Sequence, residues 1–325
     1  MPIGTDVERA AQLLAGGEVV AFPTETVYGL GADATKDAAV AKIFAIKGRP
    51  RAHPLIVHVA PEARLDDWAI DIPAPARALA AAAWPGPLTL ILRAGPRVSR
   101  VTTGGGDTVG LRVPSNPTAI ALLRRFGGGV AAPSANRFGA VSPTTALHVL
   151  ADLGDAIGYI LDGGPCAVGV ESTIVDYSRG APVLLRPGGM PREAIEAITG
   201  PLAAADAAAP AAPGTLASHY APRAQVIAVA PDEVPAAVAA ARTSAQRVAV
   251  LAPGSAFAAW GELGARAHPL PDDTAGMARE LYAALRDLDA LEVDVVIAAL
   301  PPAVGLGEAV GDRLLRAAGP RKEPP

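Results

Sequence analysis

Short apolar runs of strand length recur along the first two hundred residues of this chain, and most are followed by a segment with apolar residues at helical spacing. That alternation is the strongest constraint on the fold. Strands interleaved with helices bury their apolar faces as a sheet covered by helices. The strand runs are residues 18–24 (EVVAFPT), 55–60 (LIVHVA), 88–94 (LTLILRA), 108–114 (TVGLRVP) and 129–134 (GVAAPS), with further ones in IGYILD, ESTIVDY and PVLLRPG. Helices are expected over 37–48, 74–84, 118–126, 144–153 and 191–198. Ahead of them, TDVE at 5–8 is a capping-box pattern followed by Ala10, Leu13 and Leu14, and Gly16 and Gly17 stop that helix.

The segment 201–224 (PLAAADAAAPAAPGTLASHYAPRA) breaks the alternation, and its Ala/Pro-rich first half reads as a disordered linker. A second βαβα series follows, with strands at 224–230, 247–253 and 293–301 and helices at 232–245, 273–291 and 306–318. The expected architecture is α/β. A larger domain over 1–203 carries a twisted mixed sheet with flanking helices. A linker or lid covers 204–223, a smaller Rossmann-like parallel α/β domain covers 224–320, and 321–325 is a tail.

Acidic residues (32) slightly outnumber basic ones (28), which argues against a surface coated for nucleic acid. The single cysteine, Cys166, rules out an intrachain disulfide and a cysteine-based zinc finger, and fits a reducing cytoplasm. MPIGTDVERA lacks a basic start ahead of an apolar core, so no secretory signal is expected. No apolar run reaches membrane-spanning length. A cytoplasmic protein without membrane association is expected.

Several phosphate and hydrolase signatures are missing: no G-x-x-x-x-G-K-[ST], no H-E-x-x-H, no G-x-S-x-G and no dinucleotide fingerprint. Phosphate handling would then fall to side chains and irregular loops. Five stretches offer them. In FPTETVYGLGADA (22–34), a strand's end delivers Thr24, Glu25, Thr26 and Tyr28 ahead of Gly29 and Gly31. That suits a polar or anionic small ligand, or simply a well-bonded turn. In KGRPRAHPLIVH (47–58), Lys47, Arg49 and Arg51 share one face if the chain is extended, as Pro50 favours for Arg49. They would grip a polyphosphate or form a solvated basic edge. His58 faces away from Leu55, Val57 and Val59, and a lone strand histidine is commonly structural; His53 reads as a loop residue.

In DTVGLRVPS (107–115), Thr108 and Arg112 point the same way, and an arginine in an apolar strand needs an anion, from the chain or from a substrate. In APSANRFGAVSPTT (132–145), Ser142 reads as a helix N-cap with Pro143 as the first helical residue. Ser134 and Asn136 have no such structural explanation and are the better functional candidates. In GVESTIVDY (169–177), Ser172 and Thr173 interrupt an apolar strand, and Arg186 ends another, giving either a binding face or an exposed hairpin face.

Taken in this order, P-T-E-T-V-Y-G-L-G-A, K-G-R-P…P-L-I-V-H, S-A-N…S-P-T and E-S-T-I-V-D resemble the Sua5/YrdC family of threonylcarbamoyl-AMP synthases over about residues 1–200. SHYAP at 218–222 and the trailing α/β domain are similar to the longer Sua5 form. The resemblance implies a YrdC-like catalytic domain and nucleotidyltransferase activity. L-threonine, bicarbonate and ATP would give threonylcarbamoyl-AMP and diphosphate, for the t6A37 modification of tRNA by downstream threonylcarbamoyl-transferase machinery. Mg2+ would accompany ATP, with its ligands unassigned. Lys47 and Arg49 would be the catalytic phosphate grip. Arg49, His53, Thr108, Ser134, Ser142, Arg186 and Tyr220 would contact ATP, Tyr220 as part of a hinged lid. Thr26, His58, Arg112, Ala132 (through its backbone) and Ser172 would bind L-threonine, with Arg112 taking the carboxylate. Arg51 is left facing solvent.

Two positions depart from the family pattern. His53 stands where the family often has Asn and can still donate a hydrogen bond. Phe138 stands where it often has Ser, and takes no role. Related hydrogenase-maturation carbamoyltransferases carry zinc fingers, which one cysteine cannot build. Two other readings stay open. One is an RNA-binding module using the same cationic groove, against which the acidic balance and the 4% aromatic content weigh. The other is a sugar-phosphate or carbamoyl-transferring relative. Weak RNA binding is the remaining expected interaction.

Overall fold

The structure is a computed structural model that describes residues 3–244 and 247–320. Two compact units divide it. The first runs to Phe138, resumes over Ser142–Ala167 and closes with Glu171–Thr215. The second takes Gly139–Val141, Val168–Val170 and the chain from Leu216 onward. The expected tail at 321–325 lies outside the described residues.

The first unit's sheet is built from β1 (Ile3–Gly4), β2 (Val20–Phe22), β3 (Gly29–Asp33), β4 (Ile56–His58), β5 (Ala69–Ile70), β6 (Leu88–Ala94), β7 (Thr108–Arg112), β8 (Val130–Ala131), β9 (Ile160–Leu161), β10 (Thr173–Asp176), β11 (Val183–Arg186) and β12 (Ala203–Ala204). Its order is β1-β9-β2-β3-β8-β4-β7-β6-β10-β11-β12, with β5 paired to β6. Parallel and antiparallel neighbours mix: β4–β7 and β6–β10 are parallel, β6–β7 and β10–β11 antiparallel. The helices are α1 (Val7–Ala15), α2 (Asp37–Lys47), α3 (Ala74–Ala83), α4 (Pro117–Phe126), α5 (Ala146–Leu153) and α6 (Arg192–Thr199). The main core joins Val40, Ile43 and Phe44 of α2 and Leu79 of α3 to Val57, Leu90, Leu92 and Leu111 on one sheet face.

The opposite face is covered in two parts. Over Val20, Phe22 and Val130 lie Ala10 and Leu14 of α1 and Leu122 and Leu123 of α4. Over Ile56, Ile91, Ile174, Val183 and Leu185 lies Ala212, from the Ala/Pro-rich run read as a linker. That run is tied down further: β12 pairs with β11, and the Pro213 carbonyl accepts from Arg186 Nη1 at 2.8 Å. A row of aliphatic side chains needs an apolar cover, and small residues supply it without a helix.

Local signals set several element ends. Asp6, and not Thr5, caps α1, its carboxylate accepting from Arg9 N at 3.0 Å. Asn116 caps α4 ahead of Pro117. Thr145, and not Ser142, caps α5, accepting from His148 N, so that helix starts at Ala146. Gly48 and Gly127 stop α2 and α4 in the left-handed region, at φ 64° and 73°.

The second unit has an all-parallel sheet, β13-β16-β14-β15, formed by β13 (Gln225–Val229), β14 (Val248–Pro253), β15 (Arg266–Leu270) and β16 (Val295–Ala299). Helices α7 (Val234–Arg242), α8 (Gly254–Trp260), α9 (Thr274–Ala290) and α10 (Gly307–Ala317) connect and follow them. Val234 and Val238 of α7 bury against Val250 and Ile297. The pair α8 and β15 was not expected from the sequence. β15 reads RAHPL, mostly exposed, with no β-branched residue; Pro269 is tolerated because the strand lies at the sheet edge.

Candidate active site

The polar candidates gather on the sheet face that α1, α4 and the 203–215 run only partly cover. β4 and β7 run parallel and end on His58 and Arg112, which stand opposite each other in the register. β6 runs the other way and begins with Leu88 and Thr89, Ser172 precedes the parallel β10, and the antiparallel β11 ends on Arg186. Strand direction therefore brings His58, Thr89, Arg112, Ser172 and Arg186 to one end of the sheet. Thr108 opens β7 at the other end, about 13 Å from Arg112 at the usual rise per residue.

At the first end the hydrogen bonds are dense. Arg112 Nη1 donates to Thr26 Oγ1 at 2.9 Å and Nε to the Gly86 carbonyl at 3.4 Å, while Nη2 lies 2.8 Å from Glu25 Oε1. That last contact is close but out of line: neither Nη2 nor Oε1 has a hydrogen bond among the described residues. Glu25 is fixed from behind by Ser115 N, 3.1 Å from Oε2. Thr26 Oγ1 also meets Thr24 Oγ1 at 2.8 Å. Ser172 Oγ lies 2.7 Å from Thr89 Oγ1, and Arg186 Nη2 donates to the Ser172 carbonyl at 2.7 Å. Ser142 Oγ donates to Glu171 Oε1 at 2.6 Å, which is the work the hydroxyl does in place of the expected N-cap.

Burial sets the protonation states here. His58 is 4% exposed. Burial first, and then the positive charge of Arg112, push its pKa down to about 3, so it is neutral at physiological pH. Its Nδ1 has no hydrogen-bond partner among the described residues. Burial pushes the Cys166 thiol up to about 12, with Glu25 adding to the rise, so this cysteine is no ready nucleophile.

Lys47, Arg49, His53, Thr108 and Ser134 belong to the other end of β4 and β7. Lys47 and Arg49 do not share one face of an extended stretch. Lys47 is the last residue of α2, and Gly48 turns the chain so that Arg49 N reaches the Phe44 carbonyl. Both cations are thereby drawn inward, to 3% and 7% exposure, while Arg51 stays exposed. Lys47 Nζ donates to the carbonyls of Ser134 and Asn136 at 2.6 and 2.5 Å. Burial holds its pKa well below the usual lysine range, helped by the charge of Arg49 and opposed by Asp152. Arg49 donates to the Pro54 carbonyl at 3.0 Å. Phe138 acquires a structural place: its ring lies 5.5 Å from the Arg49 guanidinium carbon and 5.5 Å from the His53 ring. His53, Thr108 and Ser134 are half-buried; Ala132 is buried, its N–H donating to the Ile56 carbonyl.

Tyr220 belongs to the second unit. At φ 60° and 1% exposure, it stacks on Tyr282 (centroids 5.8 Å) and lies 5.0 Å from the Arg313 guanidinium carbon. Glu25, Thr89 and Glu171 had no expected role. Glu25 and Glu171 fall inside the quoted motifs, but their partners Arg112 and Ser142 are remote in sequence. Thr89 carried no signal beyond a hydroxyl in an apolar strand.

Among the described residues, no three His, Cys, Asp or Glu side chains gather as a metal cage. Of the buried carboxylates, Glu171 accepts from Ser142, and Glu25 lies 2.8 Å from Arg112 Nη2 with Oε1 left without a hydrogen bond among the described residues.

Fold and candidate site together define an α/β protein in which buried cations and hydroxyls converge at strand ends. The family model Sua5_yciO_yrdC, described as Telomere recombination, matches residues 12–188. The model Sua5_C, described as threonylcarbamoyl-AMP synthase C-terminal domain, matches residues 190–319. Threonylcarbamoyl-AMP synthase of Bacillus subtilis is 42% identical over 97% of this chain and 93% of its own. The Pyrococcus abyssi synthase is 42% identical over 97% of this chain and 94% of its own. The crystal structure of P. abyssi Sua5 complexed with L-threonine superposes with a TM-score of 0.90 at 41% identity, covering 96% of this chain and 94% of that one. This chain belongs to the Sua5/YrdC family, in its long, two-domain form. Among the described residues, no helix is long and apolar enough to cross a membrane.

Proposed function

We propose that this chain is a threonylcarbamoyl-AMP synthase that joins L-threonine, bicarbonate and ATP for tRNA t6A37 modification. The observation that carries the reading is near-full-length similarity to synthases from B. subtilis and P. abyssi. In the reaction, the threonine ammonium and bicarbonate combine to a carbamate with loss of water and one proton. A carbamate oxygen then bonds to the α-phosphorus as the α–β bridging oxygen leaves with diphosphate.

Every reactant is an anion or carries one, so a preorganised cationic site is the chief requirement. Arg112, held by Thr26 and Glu25, takes the threonine carboxylate. Neutral His58 and Ser172 complete the threonine end, with Ala132 offering backbone. Lys47 and Arg49 face the phosphates, with His53, Thr108, Ser134, Ser142, Arg186 and Tyr220 as further nucleotide contacts. Mg2+, arriving with ATP, shares the triphosphate charge. A cytoplasmic setting and hand-over of the adenylate to a tRNA-modifying transferase complete the reading. The RNA-groove alternative loses support because Lys47 and Arg49 are buried and only Arg51 is presented to solvent.

The test is direct. Purified protein with ATP, bicarbonate and L-threonine should release diphosphate in a threonine-dependent manner. Diphosphate release that ignores threonine, or none at all, would sink the proposal.

A further inference from the structure

We propose that Glu25 is the acceptor for the substrate's amino nitrogen, so that Arg112 and Glu25 together select an α-amino acid zwitterion. The inference rests on the proposed reaction only for the identity of the amino acid. It starts from a mismatch. Arg112 Nη2 and Glu25 Oε1 are 2.8 Å apart, yet the oxygen lies off the N–H directions and neither atom has a hydrogen bond among the described residues. Both side chains are otherwise fixed, Arg112 by Thr26 and Gly86, and Glu25 by Ser115 N on its other oxygen.

The two charges offset each other as an ion pair, but a buried donor and a buried acceptor whose directed hydrogen bonds are unmade still carry a cost. Here they stand side by side, and both side chains are at most 7% exposed. The chemistry that satisfies both at once is a carboxylate and an ammonium carried on one carbon. The carboxylate accepts from Nη2 while the ammonium donates to Oε1. His58 Nδ1, a third buried atom without a partner, belongs to the neighbouring strand opposite Arg112. Being neutral, His58 adds no charge that would repel an ammonium.

A merely structural Glu25, present to neutralise Arg112, predicts something different. Removing it would then affect every carboxylate ligand alike, with or without an amine. Binding of two ligands separates the cases: L-threonine, and the matching 2,3-dihydroxybutanoate in which a hydroxyl replaces the amine. Both are titrated calorimetrically, without ATP, into wild type and Glu25→Gln. The wild type should prefer threonine by about 10- to 100-fold, the range for a hydrogen bond to a charged group. Glu25→Gln should lose most of that preference, through weaker threonine binding, with the hydroxy acid bound no more weakly than by the wild type. Equal affinity of the wild type for the two ligands overturns the assignment, as does a preference that survives Glu25→Gln. If Glu25→Gln does not fold, Glu25→Asp takes its place: the shortened carboxylate should weaken threonine binding and leave the hydroxy acid unaffected, and unchanged threonine binding overturns the assignment. A chain that prefers threonine through Glu25 yet releases no threonine-dependent diphosphate overturns the proposed reaction and leaves the Glu25 assignment standing.

Discussion

His58 makes an acid-stability prediction that can be worked through. An unfolded histidine titrates near pH 6.5, whereas His58 in the fold titrates at about 3, because burial and then Arg112 disfavour its cation. Between those values the unfolded chain holds a proton that the folded chain does not. Stability is therefore greatest above pH 6.5 and falls as pH drops toward the folded value. At about 1.4 kcal/mol per pH unit, the loss reaches roughly 2 kcal/mol by pH 5 and nearly 5 kcal/mol by pH 3. Domain stabilities of about 5–15 kcal/mol make the first figure readable and the second severe. The perturbation is His58→Gln, which keeps a polar side chain and removes the titration. The first unit holds Trp68 and Trp84, so urea unfolding can be followed by their fluorescence once Trp260→Phe silences the second unit. Between about pH 7.5 and pH 5, wild type should lose roughly 2 kcal/mol more than His58→Gln. Parallel pH profiles for the two proteins would refute the claim that His58 is held neutral.

Two further outcomes concern the other end of the site and its floor. Lys47→Met removes the donor shared by the Ser134 and Asn136 carbonyls, which should cost about 1–3 kcal/mol of stability and, if Lys47 meets phosphate, lower diphosphate release by about a hundredfold or more; a folded variant with normal turnover would take Lys47 out of the chemistry. Gly31→Ala would set a Cβ 2.6 Å from Val130 Cγ1 and 2.9 Å from the Phe22 ring, costing about 1–3 kcal/mol, and because Phe22 meets His58 edge-on the threonine KM should rise with the drop in Tm.

How far the sequence could be read depended on the range of the forces involved. β6 was legible because LTLILRA is an apolar run bounded by turns, and α2 because Gly48 stops it. β15 was not, since an exposed edge strand owes its conformation to a neighbour and not to its own residues. Lys47 had two local readings: the helix expected over 37–48 contains it, while two-residue spacing set it on one extended face with Arg49; the helix holds to Lys47, and Gly48 turns the chain before Arg49. Ser142 illustrates the converse. A complete local explanation, the N-cap, hid a tertiary one, its bond to Glu171 from 29 residues away. The pairing of Thr26 with Arg112 spans 86 residues, and no spacing rule reaches that far. Composition did set useful limits, since one cysteine excluded zinc fingers before any fold was known.

The Ala/Pro-rich run has a consequence for where this protein can be divided. The two family models meet between residues 188 and 190, which looks like a natural place to separate the halves. The first unit nevertheless continues to Thr215, and its last residues include Ala212, packed on Ile56 and Ile174, and Pro213, bonded to Arg186. A fragment ending at 189 would leave that isoleucine-rich face open to water and strip an acceptor from a buried arginine. It would be prone to aggregate for reasons unrelated to catalysis. Modular ancestry and modular foldability thus part company here by some twenty-five residues, the distance from 190 to 215.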